Sequence, residues 1–300
     1  MNNWRTYERK RAAFERKWQA VILRALNRQT LYYVEQYKAG RIHGAMPDLG
    51  FYELLLTLYG NVGGRFARET NRELRSEARR GRMENRRYSP EDSRLPARAE
   101  VMAKGLGSTQ LKADPIFRGS LGFNLDWAKK VADKLRDAAL RLAQKISEKT
   151  RQIILSILED AQTQNLTLDE TVALIQEKAG ELNKARAEAI ARTEVGRAAT
   201  EGKMQGAKAL GVELEKVWVS ARDSRTRHNP TKDPKKGDHW VLNGQRRALD
   251  EPFSNGVHQL MQPGDATAPP GETINCRCTV VFEVKKDVQG RVIERNYLTV

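Results

Sequence analysis

The sequence predicts a mainly α-helical chain over its first two-thirds, with long helices and a coiled-coil-like stripe. A small α+β module with a β-hairpin follows. Three observations predict this. Residues 4–39 contain neither Gly nor Pro, while apolar side chains recur every three or four positions. The same step returns from Val131 to Ile157. After Gly211 alternation replaces it, and six of the ten prolines fall between 230 and 270.

In the first helix Phe14, Trp18, Val21, Ile22, Ala25 and Leu26 share a face. Gly40, Gly44 and Pro47 end it. Asp48 is the N-cap of a second helix carrying Phe51, Leu54, Leu55, Leu58 and Tyr59. Gly60, Gly63 and Gly64 interrupt that run, predicting a kink or a close helix contact before it resumes through 65–80. Residues 81–123 carry Pro90, Pro96, Pro115 and five glycines, which reads as a linker or an arm that orders on a partner.

Asn124 or Asp126 caps the next long helix, whose stripe is Val131, Leu135, Ala138, Leu142, Ile146, Ile153 and Ile157. Thr167 and Glu170 form a capping box for a helix over 168–179. Another runs from about 182 to 210 and ends at Gly211. Lys216–Ser220 alternates as a strand, Thr279–Val284 is a second, and Gln289-Gly290 turns the chain into 291–298 as a hairpin. The expected division is a basic helical region 1–80, an arm 81–123, a long-helix region 124–210 and a module 211–300. No repeat of 20–50 residues is present.

The 300 residues weigh 34.0 kDa, for which two domains are the prior. Mean hydropathy is −0.67, and no apolar run approaches the ~20 residues that span a bilayer, so no membrane partner is expected. The first five residues, Met1 to Arg5, offer no apolar signal segment. Two cysteines exclude a disulfide scaffold and point to synthesis in a reducing compartment. The net charge of +15 is uneven: residues 1–100 hold 21 basic and 12 acidic side chains, while each later hundred holds 16 and 13. The first hundred residues should therefore meet a polyanion.

Four segments of the last third stand together. They are Arg192-Thr193-Glu194; Trp218 with Asp223, Arg225 and Arg227; His239 followed by Leu242-Asn243-Gly244-Gln245; and Pro263-Gly264-Asp265 with Asn275-Cys276-Arg277-Cys278. The set and its order, over residues 185–285, resemble the phage head-morphogenesis family, the Mu F-like minor capsid proteins. The sequence departs from that family by an extra stretch, residues 228–238, before the histidine. His239, with its following LNGQ, is assigned to the family position and His228 is not.

The resemblance implies a structural minor head protein of a tailed double-stranded DNA phage or prophage, not an enzyme. It implies portal, capsid or scaffold proteins as partners. It places the protein in the phage head interior or at the portal vertex, and in the host cytoplasm during assembly. Some relatives carry an appended toxin domain, for which this chain is expected to lack the length.

Several residue sets admit two readings. Cys276 and Cys278 are two apart, so their side chains share one face of a strand. They are either buried structural thiols or, with His239, zinc ligands. The alternative to a structural role, a hydrolase or DNA-processing enzyme, would use one of these thiols as nucleophile, His239 as base and Asp223 or Asp265 to orient it. Arg192, Glu194, Asp223, Arg225 and Arg277 form either a network tying helix to module or a set of solvated charges. His43, His228 and His258 are expected in turns or loops. Arg79, Arg80, Arg82, Arg86 and Arg87 concentrate positive charge in nine residues, which suits double-stranded DNA contact without sequence preference.

Overall fold

The computed structural model describes residues 4–41, 47–86, 124–231, 233 and 237–293. Its helices are α1 (Trp4–Lys38), α2 (Phe51–Arg86), α3 (Asn124–Lys134), α4 (Arg136–Thr163), α5 (Leu168–Lys208) and the single-turn α6 (Pro270–Thr273). Its strands are β1 (Leu214–Val219), β2 (Arg246–Ala248), β3 (Phe253–Ser254), β4 (Gln259–Leu260) and β5 (Thr279–Val284). A mainly helical body thus precedes a small strand-containing module.

The caps act as their chemistry requires. Asp48 accepts hydrogen bonds from the backbone N–H groups of Gly50 and Phe51 at 2.7 and 3.2 Å and so opens α2. Thr167 Oγ1 accepts from Glu170 N at 3.3 Å, and the Glu170 carboxylate accepts from Thr167 N at 2.8 Å. That reciprocal pair opens α5.

Three helix boundaries differ from the sequence reading. α2 runs unbroken through Gly60, Gly63 and Gly64. These glycines are sites of close approach. A Cβ on Gly202 of α5 would lie 2.1 Å from the Gly63 carbonyl oxygen, and one on Gly206 would lie 2.3 Å from that of Ala67. α5 also runs unbroken across Gly180, where two helices were expected. Val172, Ile175, Ala179, Asn183 and Ala187 stay buried in phase across it. Their burial outweighs the cost of a helical glycine, about 1 kcal/mol. Conversely, the single helix expected from Asn124 divides at Leu135 into α3 and α4. Bonds from Leu135 N to Val131 O and from Ala139 N to Leu135 O still bridge the break.

Helices from both flanks of the 81–123 segment share one core. Ile22 and Leu26 of α1, Leu55 and Tyr59 of α2, Val131 of α3 and Val195 of α5 all lie in it. A second cluster at the far end of α5 holds Tyr33, Ile154 and Ile175. Residues 81–86 continue α2, and 87–123 lie outside the described residues. Among the described residues no helix is long and apolar enough to cross a membrane.

The module is built on an antiparallel sheet of order β2-β1-β5, with Val217 opposite Arg246 and Trp218 opposite Val280. β3 and β4 form a separate ladder, Phe253 opposite Leu260. After β5 the chain turns at Asp287–Gly290, and Lys286 bridges to Val292. The rest of the expected hairpin arm, from 294, lies outside the described residues. Lys203 fastens α5 to this sheet. Its Nζ donates to Thr279 Oγ1 at 2.9 Å and Val280 O at 3.1 Å, and lies 4.1 Å from the centre of the Tyr7 ring.

Candidate functional site

The motif residues of the last third converge where α1, α5 and the module meet. Thr193 Oγ1 donates to Ala189 O and accepts from Asn275 N at 2.9 Å. This holds Asn275 in a left-handed conformation, φ 57°. Arg192 Nη1 reaches Asn275 Oδ1 at 3.4 Å and its other nitrogen pairs with Glu188. Glu194 is buried and accepts from Tyr59 Oη at 2.6 Å and Arg197 Nη1 at 2.7 Å. Arg197 Nε then donates to Gly264 O at 3.1 Å. Gly264 has φ +73°, and a Cβ there would lie 3.2 Å from Arg197 Cα, so the Pro263-Gly264 turn rests directly on α5.

Trp218 pairs its backbone with the 242–245 turn: its N–H donates to Gln245 O and its carbonyl accepts from Gly244 N at 2.8 Å. Its ring stands edge-on to His239 and Phe253, with centroids 5.5 and 5.2 Å away. Asp223 accepts from Thr226 Oγ1 and Arg225 N, closing the 223–226 turn. Arg227 donates to Ile274 O, while its own carbonyl accepts from His239 N.

The five-residue network anticipated from sequence divides into separate contacts. Arg277 joins Asp223 and also Glu8 of α1, the latter at 2.6 Å. Arg225 is exposed, 3.8 Å from Asp223. Glu194 and Arg192 pair instead with neighbours on their own helix. Beside Arg277, the buried Arg11 donates to Cys276 O at 3.3 Å and pairs with Glu15 at 3.0 Å. Sequence reasoning missed Glu8, Arg11 and Tyr59, which sit on helices with no motif around them, and Arg197, three positions after Glu194, which nothing in the triplet marks.

The sharpest chemistry lies at His239. Its Nδ1 faces two sulfurs, Cys276 Sγ at 3.6 Å and Cys278 Sγ at 3.5 Å. Its Nε2 lies 2.8 Å from Glu272 Oε2. Glu272 also accepts from Asn255 Nδ2 at 3.1 Å and meets His258 Nδ1 at 3.0 Å. His239, Cys276, Cys278 and Glu272 are all buried. Burial raises the Glu272 carboxyl, but hydrogen bonds from His239, His258 and Asn255 win and hold it at about 2. Burial opposes the His239 imidazolium, yet its bonds to Cys276 and Glu272 raise it to about 9. The two thiols are driven apart. A hydrogen bond from Cys278 lowers Cys276, aided by His239, while the same contact, with burial, raises Cys278.

This arrangement alters one expectation. The carboxylate that orients His239 is Glu272, whereas Asp223 serves Arg277 and its own turn, and Asp265 accepts from Met261 N and Thr267. His258 lies in the loop between β3 and β4, as expected, and there faces Glu272. His228 stacks on Trp240 and pairs with Asp238, while His43 lies outside the described residues. Glu272 carries no signal in sequence: it is one acidic residue in a single-turn helix four positions before Cys276.

Of the arginine group, Arg80 is exposed on α2. The side chains of Arg79, Arg82 and Arg86, and the whole of Arg87, lie outside the described residues.

Comparison with known proteins gives two matches. Residues 134–281 match the model of the family described as phage Mu protein F like protein, a span from α3 to β5. The chain is also 31% identical over 115 residues to NAD(+)--arginine ADP-ribosyltransferase EFV of Enterococcus faecalis (strain ATCC 700802 / V583). That alignment takes in 34% of this chain and 21% of the relative, so the chain spans about a fifth of the relative's length. No solved structure matches it.

Proposed function

Because residues 134–281 make this chain a member of the Mu protein F-like family of phage head-morphogenesis proteins, we propose that it is a minor head protein of a tailed double-stranded DNA phage or prophage. In this reading it enters the procapsid in the host cytoplasm, works at or near the portal, and stays in the head. Its partners are the portal and the capsid or scaffold proteins.

One observation supports this reading most: the motif residues are spent on holding the molecule together. Thr193, Trp218, Arg227 and Arg277 each bind another element of the same chain, as does Arg197 beside the first motif. Such residues make a rigid part, as a structural protein needs. Deleting the gene from an inducible prophage tests it. Aberrant or non-infectious heads, restored by complementation, are expected. Normal heads and an unchanged titre reject the role.

The basic first hundred residues, with Arg79 to Arg87 as their densest part, would contact packaged DNA through phosphates. Removing five phosphate contacts lowers the slope of log K against log salt by roughly 4 to 5. Replacing Arg79, Arg80, Arg82, Arg86 and Arg87 with Ala should approach that change. An unchanged slope removes the DNA contact.

A second reading, a thiol hydrolase, has one observation in its favour: His239 stands between a thiol and the Glu272 carboxylate. Against it, Cys276 and Cys278 are only 6% and 3% exposed, which shields the sulfurs from a substrate. Transferase activity belongs to a relative of which this chain covers about a fifth, and none is proposed here.

A further inference from the structure

We propose that His239 Nδ1, Cys276 Sγ and Cys278 Sγ bind a zinc ion, which staples the 239–245 turn to the segment that enters β5. The inference is independent of the head-assembly role.

Geometry carries it. Zinc holds thiolate sulfur at about 2.3 Å and imidazole nitrogen at about 2.0–2.1 Å in a tetrahedron. The sulfur–nitrogen edge of that tetrahedron is then about 3.5–3.6 Å. The two sulfur–nitrogen distances are 3.6 and 3.5 Å. All three donor atoms lie within 4.8 Å of one another, which leaves the sulfur–sulfur edge room for its tetrahedral value of about 3.8 Å.

The surroundings prepare each donor. Glu272 takes the Nε2–H of His239 at 2.8 Å, which fixes the tautomer and turns the Nδ1 lone pair toward the sulfurs. Asn255 and His258 hold Glu272 in turn. This is the carboxylate–histidine support that metal-bound imidazoles ordinarily have. The Trp218 indole N–H and the Ser220 hydroxyl, both buried, have no oxygen or nitrogen acceptor among the described residues and adjoin the Cys278 sulfur. Donors of that kind suit a thiolate.

Charge points the same way. Two thiolates and a neutral imidazole carry −2, and zinc brings the three-ligand set to zero. Without the ion, the His239 imidazolium offsets one thiolate at most, and a second would be an unpaired charge beside Trp218, Leu242, Phe253 and Leu260. Two soft thiolates with an imidazole favour zinc over magnesium or calcium. Among the described residues no fourth His, Cys, Asp or Glu joins the three, so water takes the remaining corner.

The test uses the full chain, purified without chelator after growth in zinc-supplemented medium. Plasma mass spectrometry should find about one zinc per chain. Cobalt(II) reconstitution should give tetrahedral d–d bands with thiolate-to-cobalt charge transfer. Cys276→Ser/Cys278→Ser should lose both signals. Glu272→Gln should retain the site with affinity weaker by 10–100-fold, about what loss of such a support costs. If the double variant fails to fold, the wild-type cobalt spectrum still decides. Zinc far below one per chain after reconstitution, a cobalt spectrum without charge transfer, or full zinc in a folded double variant each overturn the assignment.

Discussion

Replacing Gly202 with Ala sets two principles against each other. Helix propensity alone favours the change by up to about 1 kcal/mol. The packing opposes it, because the new Cβ would stand 2.1 Å from the Gly63 carbonyl oxygen. A carbon and a carbonyl oxygen rest at about 3.3 Å or more, so the shortfall is roughly 1.2 Å. The obstacle is backbone of α2, which no rotamer change can clear. The helices must separate locally, and overpacking of that kind costs typically 1–3 kcal/mol, occasionally more. After the propensity gain, we expect a net loss of about 2 kcal/mol. Gly180 provides the control within the same helix, since a Cβ there meets nothing within 4 Å. Gly180→Ala should stabilise by about 0.5–1 kcal/mol. Thermal melts of both variants decide the matter: Gly202→Ala should fall by about 4–6 °C and Gly180→Ala should rise by about 1–3 °C. A Gly202→Ala protein at least as stable as the wild type would refute the close α2–α5 contact.

Two further outcomes test the junction of helix and module. Arg277→Ala removes the cation that Glu8 and Asp223 share in a half-buried site, leaving Glu8 with Arg11 and Asp223 with Arg225, and a loss of about 1–3 kcal/mol in urea unfolding is expected. An unchanged midpoint would make that bridge merely decorative. Burial lowers Lys203 to about 7, against 10.5 for a free lysine. Between those values the unfolded chain binds more protons at this site, so Lys203 by itself makes stability climb as pH rises from 7 to 10.5, against a fall between about 6.5 and 9 from His239, whose raised folded value works the other way. Lys203→Met should flatten that climb, leaving a residual rise above pH 8 from Lys216, which burial lowers to about 8. Parallel pH profiles for wild type and variant would contradict the burial of the Lys203 charge.

Local rules were legible in this sequence wherever a residue acts on its immediate neighbours. The Thr167–Glu170 box and the Asp48 cap need only a few residues of context, and both form. The shift from helical steps to alternation at Gly211 likewise marks where β1 begins. What stayed hidden depends on partners distant along the chain. Gly63 reads as either a kink or a close helix contact, and that its counterpart is Gly202 shows only when α2 meets α5. Gly180 looks like a stop because the apolar face that carries the helix across it is defined by packing. At the cluster, the Cys-x-Cys spacing and the histidine before LNGQ brought three residues forward, and they do meet. Glu272 could not be found this way. Its role comes from where α6 sets it down, and a lone glutamate after Pro-Pro-Gly has no pattern to betray it.

The contacts of α1 with the Cys276–Arg277 segment also set a timetable. Arg11 bonds across 265 positions of chain and Arg277 reaches back across 269. At synthesis rates of about 5–20 residues per second, the first helix leaves the ribosome roughly 15–50 s before the residues that complete its surroundings. Through that interval Arg11 keeps Glu8 and Glu15 beside it but lacks the Cys276 carbonyl, and the face of α1 that will meet the module has no module to rest on. Nucleation within the helical body can proceed, but closure of the molecule waits for its last-made strand. A premature stop at residue 275 would spare α1 to α5 and still deprive the earliest of them of the module contacts made by Arg11 and Glu8.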